Sequence, residues 1–131
     1  MRTLDTNVLV RLFVSDDERQ EQIANALLEE PFLILPSVLI ELIWVLSSRY
    51  KLKRAAFLPK LKVLLGTADA NVVSDAAVMW ALDRYEAGAD FADMLHFALA
   101  EELEATSFAT FDRRIKPHHI TGLNLKLERL T

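Results

Sequence analysis

The sequence predicts an α/β fold with a central, mainly parallel sheet and helices on both faces. Short apolar runs alternate with segments of helical periodicity, which is the pattern of strands joined by crossover helices. Helix-starting residues stand directly behind several of those runs, at Asp5, Pro36-Ser37 and Ser74. With 131 residues, 52% hydrophobic and 26% charged, the chain has the size and apolar content of one packed domain, so residues 1–131 are expected to form a single core.

The elements follow in order. Arg2-Thr3-Leu4 reads as a short strand that runs into Asp5-Thr6-Asn7, residues suited to a turn or helix N-cap, and then a helix over Val8 to Phe13. Ser15 and Glu18 have capping-box spacing and open a second helix through about Glu29, with Ile23, Ala24, Leu27 and Leu28 at helical intervals and Pro31 as its stop. Phe32-Leu33-Ile34-Leu35 is an apolar run of the kind buried in a parallel sheet, and Pro36-Ser37 starts the helix carrying Glu41, Trp44 and Val45. A helix follows from about Lys53 to Leu65, then a strand at Asn71-Val72-Val73, and a helix capped by Ser74 and closed by Gly88. Asp90 to Leu103 reads as helix, Thr106 to Ala109 as strand, Thr110-Phe111-Asp112 as its exit, and Asn124 to Leu127 as a last strand.

Composition excludes several classes. With no cysteine there is neither a disulfide framework nor a thiolate site, which suits a reducing compartment such as the cytoplasm. Charges flank any apolar start at the N-terminus, and no uncharged run reaches the roughly 18 residues needed to span a bilayer, so neither secretion nor membrane insertion is expected. The net charge of −4 disfavours a polyanionic partner, but the charge is unevenly distributed. No acidic residue lies between Glu41 and Asp69, whereas Arg49, Lys51, Lys53, Arg54, Lys60 and Lys62 do. That stretch is either a solvated helix surface or a phosphate-binding one.

In open parallel sheets, ligands bind beyond the carboxyl ends of the strands. Asp5 and Asp112 each follow a predicted strand closely, so both are expected on that rim. A set of carboxylates provides the oxygen ligands that Mg²⁺ or Mn²⁺ require, and an ion so held activates water and polarises a phosphodiester. Each acid also has a plainer reading. Asp5 suits an N-cap; Glu41, within Val38-Leu39-Ile40-Glu41-Leu42-Ile43-Trp44, either points to solvent or is a compensated charge; Asp112 suits a turn. Asp90 and Asp93 have N-cap and N3 spacing; capping is the preferred reading for Asp90, while Asp93, one turn in, is placed to project toward the rim. His96 reads as a hydrogen-bonded core histidine, His118 and His119 as loop residues, and Trp44, Trp80, Phe108 and Phe111 as core aromatics. Ser47-Ser48 lacks a nucleophile elbow, and no phosphate-binding glycine pattern exists.

Thr3-Leu4-Asp5-Thr6-Asn7-Val8-Leu9, Ser37-Val38-Leu39-Ile40-Glu41, Ala89-Asp90-Phe91-Ala92-Asp93 and Thr110-Phe111-Asp112 together resemble the PIN-domain ribonucleases, and among them the VapC-type toxins of bacterial toxin–antitoxin pairs. The resemblance spans nearly the whole chain. It implies a three-layer α/β/α fold and Mg²⁺- or Mn²⁺-dependent endonucleolytic cleavage of RNA, commonly tRNA or ribosomal RNA. It also implies a homodimer and a VapB-type antitoxin that occupies the acidic groove. By this likeness Asp5 and Asp93 are the principal metal ligands, Glu41 completes the shell, and Asp112 is the fourth acid. Thr6, Asn7 and Asp90 would then orient ligands from behind. RNA affinity would rest on Arg49, Lys51, Lys53 and Arg54, with Arg113, Arg114 and Lys116 adding to it.

Other readings compete. A PIN-like module could hold RNA or a protein without cutting it. A haloacid-dehalogenase-type phosphatase would want a second Asp two residues after Asp5, where Asn7 stands. A receiver domain would need an acidic pair, a mid-chain phosphoacceptor and a late Lys after a strand, which this layout lacks.

Overall fold

The computed structural model describes all 131 residues. It resolves into two compact units, Met1–Val73 and Ser74–Thr131. Every strand pairing in both is parallel, as the alternating pattern predicts.

The first unit contains β1 (Arg2–Thr3), α1 (Thr6–Phe13), α2 (Glu18–Leu27), β2 (Phe32–Ile34), α3 (Pro36–Trp44), a π-turn (Val45–Arg49), α4 (Arg54–Leu65) and β3 (Ala70–Val72). Its sheet has the order β1-β2-β3, with Arg2 opposite Phe32 and Phe32 opposite Ala70. The central strand buries Phe32 and Ile34, which accounts for the unbroken apolar run there. Beyond β1 the ladder continues for one bond, from the Leu4 amide to the Leu33 carbonyl at 3.1 Å. Asp5 is therefore the first residue to leave the sheet, and its carbonyl begins α1 by accepting from Val8 at 3.0 Å and Leu9 at 3.2 Å.

Helix α2 starts later than expected. Asp17 caps it by accepting from the Gln20 amide at 3.0 Å, so the Ser15–Glu18 pairing does not form. A carboxylate at the N-cap is a strong acceptor beside the helix dipole, and Asp17 displaces the upstream serine. Between α3 and α4 the helix widens, with the Tyr50 amide bonding five residues back to Val45 at 3.2 Å. The Ser47 hydroxyl donates to the Ile43 carbonyl at 2.7 Å, a back-bond that loosens helical turns. The chain then turns through Lys51 at φ 56°, and Lys53 precedes α4.

The second unit contains α5 (Asp75–Glu86), α6 (Phe91–Glu102), β4 (Ser107–Thr110), a 3-10 turn (Pro117–Ile120) and β5 (Lys126–Arg129). Helix α5 packs on α6, and Tyr85 meets Phe91 edge-on at 6.2 Å. Strand β4 pairs with β5 from Ser107–Lys126 to Thr110–Arg129. Ser74 precedes α5 as predicted, but at φ 54° its hydroxyl turns away from the helix amides and donates to Glu102 at 2.7 Å. Gly88 at φ 114° closes α5, a conformation that favours glycine.

The expected core aromatics divide. Phe108 and Trp80 are only half-buried: Phe108 stacks on buried Phe97 with 4.2 Å between centroids, and Trp80 lies under the Arg84 guanidinium. Trp44 is 59% exposed and Phe111 72% exposed, contrary to the core assignment. Trp44 ends α3 on the face opposite buried Leu42 and Ile43, and Phe111 has already left β4 for a loop. His96 is also exposed, because α6 turns Met94, Leu95, Phe97 and Ala98 inward instead.

Candidate active site

In the first unit, Asp5 occupies the N-cap position of α1, yet its side chain makes no capping bond. The carboxylate is exposed at the carboxyl end of the parallel sheet and is not consumed by the helix it begins. Thr6 behind it is buried and Asn7 exposed. Glu41 lies well inside α3, which leaves the same edge of the sheet from β2. It is exposed, so of its two readings the solvent-facing one holds. Of the basic residues, Arg49, Lys51 and Lys53 are exposed, whereas Lys60 is committed to the fold, donating to the Leu12 carbonyl and covering the Phe13 ring.

In the second unit, Asp90 is the true N-cap of α6, accepting from the Asp93 amide at 2.8 Å, and Asp93 sits in the first turn. Asp112 lies two residues beyond β4 in a built loop. The Thr110 hydroxyl accepts from the Asp112 amide at 2.9 Å, and Asp112 Oδ1 accepts from the Arg114 amide at 2.8 Å. The Arg114 guanidinium then grips the same carboxylate twice, Nε to Oδ1 at 3.1 Å and Nη2 to Oδ2 at 2.9 Å. From β5, Arg129 donates to the carbonyls of Ile115 and Arg113, pinning the far side of the loop.

These groups feel one another. Asp93 is pushed above its ordinary carboxylate value by partial burial, then by the charges of Asp90 and Asp112, against the opposing pull of Arg114 and His96. Asp112 is held down at about 2, first by the side-chain bond from Arg114 and then by the backbone bond from the same residue. Arg114 is held more firmly in its charged form by its bond to Asp112 and by the charges of Asp112, Asp93 and Asp90. The structure thus brings Asp90, Asp93, Asp112 and Arg114 into one electrostatic group.

Within neither unit do three or more His, Asp or Glu side chains converge closely enough to hold a metal ion by themselves. The donors nevertheless have the right chemistry, because they are carboxylates without thiolate or imidazole among them, the set that hard divalent cations take. The charged form of Asp93, disfavoured first by burial and then by Asp90 and Asp112, is what a cation would stabilise.

The sequence matches the PIN domain family over residues 3–118. The chain belongs to the PIN-domain family. No curated protein shows a significant match to it. The PIN match covers all four motifs and extends across both units. The mixture of helices with parallel strands is consistent with a three-layer α/β/α fold. Membership gives the chain a nuclease-type fold; PIN domains are generally nucleases, usually employ divalent metals, and fit an RNA substrate. No helix of this PIN protein is long and apolar enough to cross a membrane.

Two residues of the site escaped sequence reasoning. Arg114 was read only as an RNA contact, and nothing in the local sequence distinguishes a carboxylate clamp from a free surface arginine. Arg129 lay beyond the expected end of the last strand, and only the parallel register that sets it opposite Thr110 reveals what it holds.

Proposed function

We propose that this PIN protein is a metal-dependent endoribonuclease in which Asp5, Glu41, Asp93 and Asp112 act together as ligands of Mg²⁺ or Mn²⁺. The supporting observation is that Asp93, in the first turn of α6, and Asp112, in the pinned loop beyond β4, fall in one electrostatic group with Asp90 and Arg114. On this reading residues 1–131 work as a single domain, which accords with a family match that crosses the boundary between the units. A bound ion would supply Lewis acidity and a water of lowered pKa. The chain's own contribution is to hold Asp93 at a helix start, fix Asp112 in a pinned loop, and leave the Asp5 carboxylate free of capping. Thr6, Asn7 and Asp90 serve as orienting residues, and Arg49, Lys51, Lys53, Arg54, Arg113 and Arg114 engage phosphates.

The finer role is that of a cytoplasmic VapC-type toxin that cleaves tRNA or ribosomal RNA and is neutralised by a VapB-type antitoxin. A groove of about 230 Å³ between α1 and α2, lined by Val8, Ile23, Ala24 and Leu27 with Arg11 beside them, suits an apolar peptide segment. Exposed Trp44 suits a homodimer contact. The bidentate hold of Arg114 on Asp112 favours a second reading, a non-catalytic RNA- or protein-binding module, because it neutralises one of the acids.

Incubation of total cellular RNA with the purified, antitoxin-free protein in Mg²⁺, Mn²⁺ or EDTA separates these readings. Discrete, metal-dependent products that vanish in Asp5→Ala and Asp93→Ala support the nuclease. Equal cleavage by the variants would refute the site, and no cleavage by folded, metal-loaded protein would leave the binding module.

A further inference from the structure

The loop that carries Asp112 presents two groups that the metal site does not require. Phe111, 72% exposed, stands immediately before the acid, and the Arg114 side chain, 86% exposed, stands two residues after it. A lone exposed phenylalanine is ordinary on protein surfaces, but this one sits on an unusually fixed support. The loop is tied at its start by the bond from the Leu130 amide to the Thr110 carbonyl at 2.8 Å. It is tied within by the turn around Asp112, and at its end by buried Ile115 and the Arg129 bonds. These bonds hold much of the loop backbone before any ligand arrives, which lowers the cost of binding.

An exposed aromatic ring and an exposed guanidinium carried on one pinned loop can together receive an unpaired nucleotide. The ring offers a stacking face that any base can use, and the planar guanidinium matches phosphate as it matches carboxylate. Arg113 adds a further exposed positive charge. A duplex hides the faces of its bases, so this receptor selects single-stranded or looped RNA.

We propose that the Thr110–Ile115 loop grips an unpaired nucleotide of the RNA, with Phe111 stacking on its base and Arg114 leaving Asp112 to take its phosphate. The exchange couples two events, because the negative charge of Asp112 is left uncompensated when Arg114 departs. The inference rests on the RNA-directed reading of the site but not on cleavage.

The test uses the full chain and a single-stranded RNA oligonucleotide containing 2-aminopurine, with Ca²⁺ replacing Mg²⁺ to allow binding without turnover. Wild type should quench the fluorescent base, Phe111→Ala should lose the quench and bind roughly tenfold more weakly, and Phe111→Trp should retain both. Arg114→Gln should keep the quench while its salt dependence falls by about 0.7 in log–log slope, one phosphate contact on a single strand. Wild-type affinity and quenching in Phe111→Ala would overturn the proposal. So would a Phe111→Ala change confined to self-association in sedimentation, which would assign the ring to a protein contact. Phe111-dependent binding without Mg²⁺-dependent cleavage would support the loop's role and contradict the nuclease. Absence of RNA binding by wild type would overturn both.

Discussion

The two units carry their acids in different ways. In the first, Asp5 and Glu41 are exposed and stand on separate elements, and the Asp5 carboxylate does not cap the helix it begins. In the second, Asp90, Asp93 and Asp112 are bound into a helix cap and a turn, with Arg114 as a counter-charge from the same loop. Carboxylates of one motif set thus stand in two electrostatic settings. Asp5 and Glu41 face solvent, whereas Asp93, partly buried and beside Asp90 and Asp112, is pushed above its ordinary value against the pull of Arg114.

The largest effect expected from breaking this contrast is on activity. Asp5→Asn and Asp93→Asn should each lower RNA cleavage by about 10³-fold or more, the scale on which loss of a principal metal or electrostatic group is felt. Their stabilities should diverge. Because the folded state holds the Asp93 proton more firmly than the unfolded chain does, ionisation of Asp93 weakens the fold as pH rises from 3.8 through the raised folded value. Metal-free Asp93→Asn should therefore melt slightly above wild type at pH 7, a small gain because the group is only partly buried and solvent screens it. The gain should disappear below pH 3.8, where Asp93 is protonated in both states. Asp5→Asn should leave the melting temperature unchanged. Differential scanning fluorimetry across pH checks both.

A smaller effect should follow from loosening the second unit's loop. Arg129→Ala removes the bonds to Ile115 and Arg113 without touching an acid. Cleavage should fall by roughly tenfold through mispositioning of Asp112, since displacements near 1 Å can cost as much as 10²-fold. Hydrogen exchange should rise at residues 111–115 and not in the first unit.

A subtler contrast lies in titration. Asp112 should titrate near 2 by carboxyl NMR, and Arg114→Gln should raise that midpoint toward 3.8. Since the folded value is depressed, whatever stability the pair supplies is present above pH 3.8 and is lost as pH falls through about 2.

Much of this organisation was legible in the residues, and the remainder has identifiable physical causes. Alternation of apolar runs with helical periods located all five strands and the six helices to within a few residues, because buried parallel strands and amphipathic helices leave distinct patterns. Asp90 was read correctly as a cap from its spacing to Asp93. The π-turn after Trp44 was not foreseen, since it depends on a serine back-bond that competes only weakly with the helix ladder. Trp44, Phe111 and His96 were assigned to the interior from residue type and apolar neighbours, but their exposure follows from where each helix or strand ends and which face turns inward. For the site, motif spacing singled out the acids as candidates; the balance of charge around Asp112 depends on Arg114 and on the loop that Arg129 pins, which no local sequence signal marks.

Mn²⁺ binding tests the proposal that Asp5 and Asp93 serve one metal-dependent function. Titration of wild type, Asp5→Asn, Asp93→Asn and the double variant, followed by electron paramagnetic resonance, forms a double-mutant cycle. Each single variant should lose the same binding event, and the double variant should lose nothing more. Two independent losses that add, or unaltered Mn²⁺ affinity in either single variant, would contradict it.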